Sequence, residues 1–502
     1  MRNQLPNCLN PLTRETAIRP VLDEYDLAVR LELEGVTDSV AIADYGFPST
    51  LAMAEHHAAA VRMADPPLPK RTPKNGLLQF INGIAFAIPA LICSAATLYY
   101  HLSLWGGDLS PEEAAAVAIG TIGSFVVTGG IVQVSARRTL SLIHRGDWDS
   151  AISTWINWTL LGIGFVAVFD VAGWVLNQYF GWIPFPMDWV AIGFHGALSL
   201  LWLACGVLYI LEVSLAVAGA VVLGVGAVAF LHLRLDLPLL VSQLIGVVVT
   251  AAICFGVAAA VLRRKWGRNG DGEFLTARIA HGVAPYFLYG SFYHLFLFAD
   301  RFLAWTAGTG ASSLPFQFRG DYETALDIAM IAFVAEAGWV HMSMLAFYRR
   351  LNASQSRLDV GESNLFNREL RRFYCLRMGV FLPSAGVVGY LTYFTALRFG
   401  LLPTPQMREV ASVALAAYPL LVLGLWNAGL FFALSRPYSA LVAVIVGLGV
   451  NLSTGYLLSR VGSYQDAVYG FAAGSVVFAA VTTIQFIRLC RSVDHNHFAS
   501  AA

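Results

Sequence analysis

The stretch LPLLVSQLIGVVVTAAICFGVAAAVL, residues 237–262, runs without a single charged side chain. The hydrocarbon core of a bilayer is about 30 Å thick, which an α-helix crosses in roughly 20 residues. Lipid offers the backbone no hydrogen bonds, so only helices or closed barrels cross it, and an apolar run this long reads as a helix. Comparable runs lie on both sides of it. Together they cover about 78–105, 114–136, 154–176, 188–210, 212–231, 237–262, 280–305, 322–345, 374–398, 410–434, 438–458 and 468–490. The fourth and fifth are nearly continuous and read either as a tight helical hairpin or as one long tilted helix beside an irregular one. The prediction is an all-α polytopic membrane protein with about twelve transmembrane helices.

Composition agrees. Of the 502 residues 57% are hydrophobic and only 13% charged, where a soluble domain carries about a quarter charged residues. The formal net charge is zero, which gives no electrostatic footprint for nucleic acid. The six cysteines (Cys8, Cys93, Cys205, Cys254, Cys375, Cys490) are scattered without a C-x-x-C pair and read as small hydrophobes. No phosphate-binding loop, nucleophile elbow or H-E-x-x-H motif is present, and no histidine shows metal-ligand spacing. The reading is therefore of a non-enzyme that needs neither metal nor cofactor.

Lysines and arginines divide unevenly between the two sides. With a cytoplasmic N-terminus, 21 of them flank spans on the inner side, among them Arg137, Arg138, Arg349 and Arg350, against five on the outer side (Arg234, Arg319, Arg398, Arg408, Arg460). The positive-inside rule then places both termini in the cytoplasm and requires an even number of spans. The same spacing divides the chain. Residues 1–76 form an acidic cytosolic extension with short amphipathic helices at 22–33 and 50–63 and a Pro-rich linker. Residues 77–262 form a six-helix lobe, 263–279 a basic cytoplasmic linker, 280–490 a second six-helix lobe, and 491–502 a short cytosolic tail. Parallel six-helix repeats are a known transporter plan, although no residue-level repeat stands out. The basic cytoplasmic face suits anionic lipid headgroups.

Ionisable residues within spans are costly and mark cavities or partners. In the seventh run, Asp300 and Arg301 lie near one end, His294 shares a face with Arg301, and Tyr286, Tyr289 and Tyr293 form a neighbouring stripe. With Trp305 they read as a polar, aromatic wall for a sugar path, since rings stack on pyranose faces and Arg donates to hydroxyls. The alternative is an interfacial aromatic belt with a snorkelling arginine and its Asp300 partner. In the eighth run Glu336 lies near mid-membrane, where it reads as an ion-coupling site, a partner for Arg301, or a packing hydrogen bond. His341 shares a face with Glu323 and Asp327, and those two carboxylates read as solvated at the span's edge. Asp170 is a weaker coupling candidate, as is Glu212. His195 and His281 read as packing or interfacial residues.

Three stretches carry a family resemblance: GSFVVTGGIVQVSARRTLSLIHRGDWDSAIS at 123–153, FLYGSFYHLFLFADRFLAWTAG at 287–308, and DYETALDIAMIAFVAEAGWVHMSMLAFYRRL at 321–351. They resemble the PelG-type exopolysaccharide exporters of the multidrug/oligosaccharidyl-lipid/polysaccharide exporter superfamily. Asp300, Arg301 and Trp305 occupy that family's seventh-helix pattern, and Tyr348 with Arg349 its eighth-helix exit. The chain departs from the pattern in its long acidic preface and at Ile88-Pro89-Ala90. The resemblance implies two lobes around a central cavity that opens alternately to either side of a bacterial inner membrane. It also implies passage of a polysaccharide or its lipid-linked precursor, in company with a cytosolic glycosyltransferase and membrane subunits of a synthase complex. Two other functions fit a twelve-helix bundle: an ion-coupled small-molecule antiporter of the same superfamily, and a non-transporting scaffold of the synthase.

Overall fold

The computed structural model describes residues 24–33, 36–64, 76–144, 146–211, 213–263, 277–308, 316–357 and 363–491. The Pro-rich linker, the basic loop at 264–276, Glu212 and Cys8 lie outside them. Among the described residues the chain is helical, with one isolated β-bridge between Leu102 and Gly107.

The chain divides into two compact units. The smaller contains α1 (Glu24–Leu33), α2 (Asp38–Tyr45) and α3 (Thr50–Ala64). The expected helices at 22–33 and 50–63 are α1 and α3, and α2 is an addition that the sequence reading missed. Leu27, Leu31, Val36, Ala41 and Met53 close a small apolar core. Thr50 fixes the start of α3: its backbone N–H donates to Asp38 Oδ1 at 2.7 Å, and its hydroxyl donates to the Val36 carbonyl at 3.1 Å.

The larger unit contains twelve long helices: α4 (Gly76–Tyr100), α5 (Pro111–His144), α6 (Trp148–Phe180), α7 (Met187–Ile210), α8 (Ser214–Leu235), α9 (Leu239–Arg263), α10 (Ala277–Trp305), α11 (Gly320–Arg357), α12 (Ser363–Arg398), α13 (Pro405–Ala433), α14 (Pro437–Val461) and α15 (Ala467–Leu489). Each expected span has its helix. The fourth and fifth spans are two separate helices, α7 and α8. The first span stops at Tyr100, and residues 101–105 leave the helix at His101, which takes a positive φ of 55°.

Ten of these helices are long and apolar enough to cross a membrane by themselves. α4 makes an eleventh if its two segments, Gln79–Ala85 and Ala87–Tyr100, count as one span bent by 51°. Pro89 explains the bend: it removes the hydrogen bond to the Ala85 carbonyl four residues earlier, and its ring crowds that oxygen. α10 is long enough at 29 residues but carries Arg278, His281, His294, Asp300, Arg301 and several tyrosines, which lower its apolarity.

Buried apolar side chains gather into two main clusters. One draws on α4–α9, from Cys93 to Leu262; the other on α10–α15, from Tyr289 to Cys490. We call these helix groups the first and second lobe. The third helix of each lobe is the least covered, with 17% of its apolar window buried in α6 and 22% in α12. Their exposed Leu160, Val168, Val171, Val380, Val387 and Phe394 would be a liability in water but match acyl chains in a bilayer.

Inside the second lobe, polar side chains tie helices together. Asn427 of α13 accepts from the Tyr374 hydroxyl of α12 at 2.9 Å and donates to Thr482 and Thr483 of α15, each at 3.1 Å. Buried polar groups need such partners.

Candidate functional site

Within lipid there is no hydrophobic drive pulling one helix onto another, so close contact depends on small residues that let backbones approach. The lobes meet at two crossings made that way. At the first, Phe80 and Gly83 of α4 lie on Gly338 of α11. A methyl added at Gly83 would sit 2.7 Å from the Gly338 Cα, and one at Gly338 would sit 3.0 Å from the Phe80 carbonyl oxygen. At the second, Phe287 and Gly290 of α10 lie on Gly129 and Gly130 of α5. Methyls at Gly130 and Gly290 would each come within 2.5 Å of a facing carbonyl oxygen, that of Phe287 and of Gly129 respectively.

The two crossings are counterparts. A Phe-x-x-Gly motif on the first helix of each lobe presses its Phe carbonyl and its glycine onto a glycine on the second helix of the other. This is a residue-level repeat, Phe80–Gly83 and Phe287–Gly290, that the sequence reading did not find. Two short matching motifs far apart in a chain rich in Phe and Gly become visible only when their partners are seen.

Second-lobe histidines take part in both crossings. His294 lies against Gly129, its Nδ1 bonded to the Gly290 carbonyl at 2.7 Å and its ring stacked on Phe125 of α5 at 5.6 Å. The His341 Cβ is as close to Gly83 as Gly338 is. Basic side chains mark one end of each crossing. Arg349 donates to Gln79 Oε1 at 2.8 Å, and the Arg137 guanidinium lies over the Tyr286 ring at 5.6 Å. Arg138 is half-buried nearby, and Arg350 pairs with Glu369 at 3.1 Å.

At the opposite end of α10, Arg301 forms an ion pair with Glu323 of α11 and a longer one with Asp327 at 3.5 Å. Trp305 Nε1 donates to the second Glu323 oxygen at 2.9 Å. Asp300 accepts from the Tyr322 hydroxyl at 2.7 Å. This corrects two expectations. Glu323 is not solvated: it is 7% exposed. The carboxylates that Arg301 meets are Glu323 and Asp327, not Glu336. The i, i+4 spacing of Glu323 and Asp327 brings both onto the α11 face that meets the guanidinium.

Glu336 is 2% exposed, and neither carboxylate oxygen makes a hydrogen bond among the described residues. Trp339 and Ser343 share its helical face, and the Trp339 Nε1 and the Ser343 hydroxyl are likewise buried without partners. Tyr289 and Tyr293 stack at 6.0 Å in the second lobe's core, and their hydroxyls make no hydrogen bond. The second lobe thus encloses a set of polar groups that its own chain leaves unpaired.

In the first lobe, Asp170 is half-buried and pairs with His195 of α7 at 2.6 Å. Twenty-five positions of separation hid the pair from any local spacing argument. His281 is exposed. A narrow crevice opens among α5, α6 and α7, lined by Val132, Ser135, Thr159 and Gly206. It lies within the first lobe and holds none of the residues expected on a sugar path. Among the described residues, no group of three or more His, Cys, Asp or Glu is placed to hold a metal ion.

Residues 110–353, from α5 through most of α11, match the family described as "PelG: Putative exopolysaccharide Exporter (EPS-E)". No curated protein matches the chain in sequence. Among solved structures, it is similar to a MOP superfamily transporter from Pyrococcus furiosus Vc1, described as having a binding pocket of reversed polarity (TM-score 0.59, 16% identity, 85% of this chain and 100% of that one). An outward-facing multidrug resistance MATE transporter gives a TM-score of 0.58 at 16% identity, with 85% and 100% covered. A MATE protein in the straight conformation gives 0.51 at 14%, with 84% and 96% covered. The chain is a multi-pass membrane protein with the fold of the MATE/MOP transporters, and over residues 110–353 it matches the sequence pattern of the PelG exopolysaccharide exporters.

Proposed function

We propose that this protein moves an exopolysaccharide, or its lipid-linked precursor, out of the cytoplasm across a bacterial inner membrane. The two lobes take turns in opening a passage to each side, and both termini lie in the cytoplasm. The observation that carries this reading is the pair of counterpart glycine crossings, because the PelG match spans three of the four helices that build them. Two rigid lobes joined at two narrow, equivalent contacts suit a rocking motion.

A sugar chain needs donors, acceptors and ring faces. His294, Tyr289 and Tyr293 supply them in this reading, with Asp300, Arg301 and Trp305 at the far end of α10. The unpaired hydroxyls of Tyr289 and Tyr293 are the groups left free to bond a carbohydrate. Glu336, Asp170 and His341 are the candidates for ion coupling, since an ionisable group held within the membrane is suited to carrying a proton or cation. Arg137, Arg138, Arg349 and Arg350 face the cytoplasmic leaflet, and residues 1–76 dock a glycosyltransferase or a membrane subunit of the synthase complex.

The test is secretion by cells whose own copy is deleted and replaced. Wild type restores extracellular polymer, while Arg301→Ala and Glu336→Ala do not, although both are present in the membrane and co-purify with the synthase subunits. Unaltered secretion by both variants would favour a scaffold. Loss of drug-cation efflux with intact secretion would favour an antiporter.

A further inference from the structure

One outward stripe of α12 changes character along its length. Near its start Arg368 and Arg372 are exposed, and at the same one-turn spacing they are followed by exposed Leu376 and Val380. Val387 and Phe394 carry the exposed apolar face onward. That apolar part belongs against acyl chains. At a rise of about 1.5 Å per residue, Arg372 stands only about 6 Å along the axis from Leu376. The arginines therefore sit where acyl chains give way to headgroups, on the lipid-facing side of the helix.

The end of α15 adds to this basic region. Asn367 Nδ2 of α12 donates to the Arg491 carbonyl at 3.3 Å, and the Tyr374 and Phe486 rings lie 4.7 Å apart. Arg371, exposed on the flank of the α12 stripe, is within electrostatic reach of Cys490, which caps α15. Arg491 itself is exposed. Acids do not balance these charges: Glu369, the one acid of α12, is taken by Arg350 at 3.1 Å, and α15 has none. Among the described residues, none of Arg368, Arg371, Arg372 and Arg491 has an ion-pair partner. Each guanidinium offers a fork of donors that matches two phosphate oxygens. The four fall into two pairs, Arg368 with Arg372 on the lipid-facing stripe and Arg371 with Arg491 on the flank toward α15.

We propose that the start of α12 and the end of α15 form a binding site for an acidic phospholipid with two phosphates, one held by Arg368 and Arg372 and the other by Arg371 and Arg491. The acyl chains of such a lipid lie along Leu376 and Val380. An acidic soluble protein would reach the arginines from beyond the bilayer and would leave the apolar continuation of the stripe unused. The site lies outside the passage proposed above and does not depend on it.

The test is lipid binding by the full-length protein in detergent micelles, read by native mass spectrometry. The probes are tetraoleoyl cardiolipin, dioleoyl phosphatidylglycerol and dioleoyl phosphatidylethanolamine, which carry two, one and no net negative charges. Wild type is expected to bind a single cardiolipin about tenfold or more tightly than phosphatidylglycerol, with phosphatidylethanolamine weakest. The double variant Arg371→Gln with Arg372→Gln removes one guanidinium from each pair and should weaken cardiolipin binding by about tenfold or more. Arg398→Gln, at the opposite end of α12, should leave it unchanged. Equal affinity for cardiolipin and phosphatidylglycerol overturns the assignment of two phosphates, and wild-type binding by the double variant overturns the site. Displacement of bound cardiolipin by millimolar inorganic pyrophosphate overturns the lipid and makes the ligand a soluble diphosphate. None of these measurements needs polymer, so failed secretion with normal lipid binding counts against the transport reading alone.

Discussion

Arg301 and Glu323 form an ion pair buried at the junction of α10 and α11, and Trp305 bonds the carboxylate oxygen next to the one that meets the guanidinium. Three acids, Asp300, Glu323 and Asp327, surround this one cation, and the phenol of Tyr322 bonds the first of them. Intramembrane charge is tolerated here because each group has a partner in reach.

Removal of the cation should cost more than removal of one donor. Arg301→Ala leaves buried carboxylates unpaired, which costs about 3–5 kcal/mol, whereas Trp305→Phe loses one hydrogen bond to a charged group, about 1–3 kcal/mol. Thermal unfolding in detergent should rank the melting temperatures as wild type, Trp305→Phe, Arg301→Ala. The reverse order for the two variants would mean that the guanidinium does not anchor the cluster.

The glycine crossings should tolerate no side chain. Gly290→Ala drives a methyl against the Gly129 carbonyl, and overpacking of this kind costs about 1–3 kcal/mol. Gly256→Ala is the control, because nothing lies within 4 Å of a methyl there. Polymer secretion should fall sharply in Gly290→Ala and Gly130→Ala and stay normal in Gly256→Ala. Equal secretion by all three would show that the lobes do not depend on that close approach.

Among the described residues, Glu336 has no hydrogen-bond donor. An amide of the same shape avoids the desolvation of a carboxylate, so Glu336→Gln should melt at or above the wild-type temperature while polymer secretion is lost. A marked drop in melting temperature would reassign Glu336 to packing.

Asn427 links α12, α13 and α15 through three hydrogen bonds. Asn427→Leu removes all three bonds, while the Tyr374 hydroxyl keeps Thr483 at 3.3 Å and the Thr482 hydroxyl keeps the Phe478 carbonyl at 2.8 Å, so the cost is that of the lost bonds, about 0.5–1.5 kcal/mol each. Circular-dichroism melting should show a clear loss of stability, whereas Ser453→Ala, at an exposed α14 position, should be silent.

The small helical unit has its own core, with Leu27 and Leu31 of α1 and Met53 of α3 fully buried. Deletion of residues 1–70 should leave the membrane unit able to insert and fold but abolish co-purification with the synthase subunits. Undiminished co-purification would remove docking from the role of this unit.

The helices were legible because lipid enforces a minimum apolar length. Each of α4–α15 could be placed to within a few residues at most ends, and where the first span overran, His101 had turned the backbone out of the helix. Faces within one helix were legible for the same kind of reason: a 3.6-residue period puts Tyr289 and Tyr293, or Glu323 and Asp327, side by side. Partners on different helices were not. Whether Arg301 meets Glu336 or Glu323, whether His195 meets Asp170, and whether Phe80–Gly83 and Phe287–Gly290 are counterparts all depend on where two helices cross and how far each is rotated. No local spacing encodes that, since a crossing is set jointly by small residues distant in sequence. Sequence by itself determined a twelve-helix membrane protein with charges buried in it; tertiary structure alone decided which charges meet and where the two lobes touch.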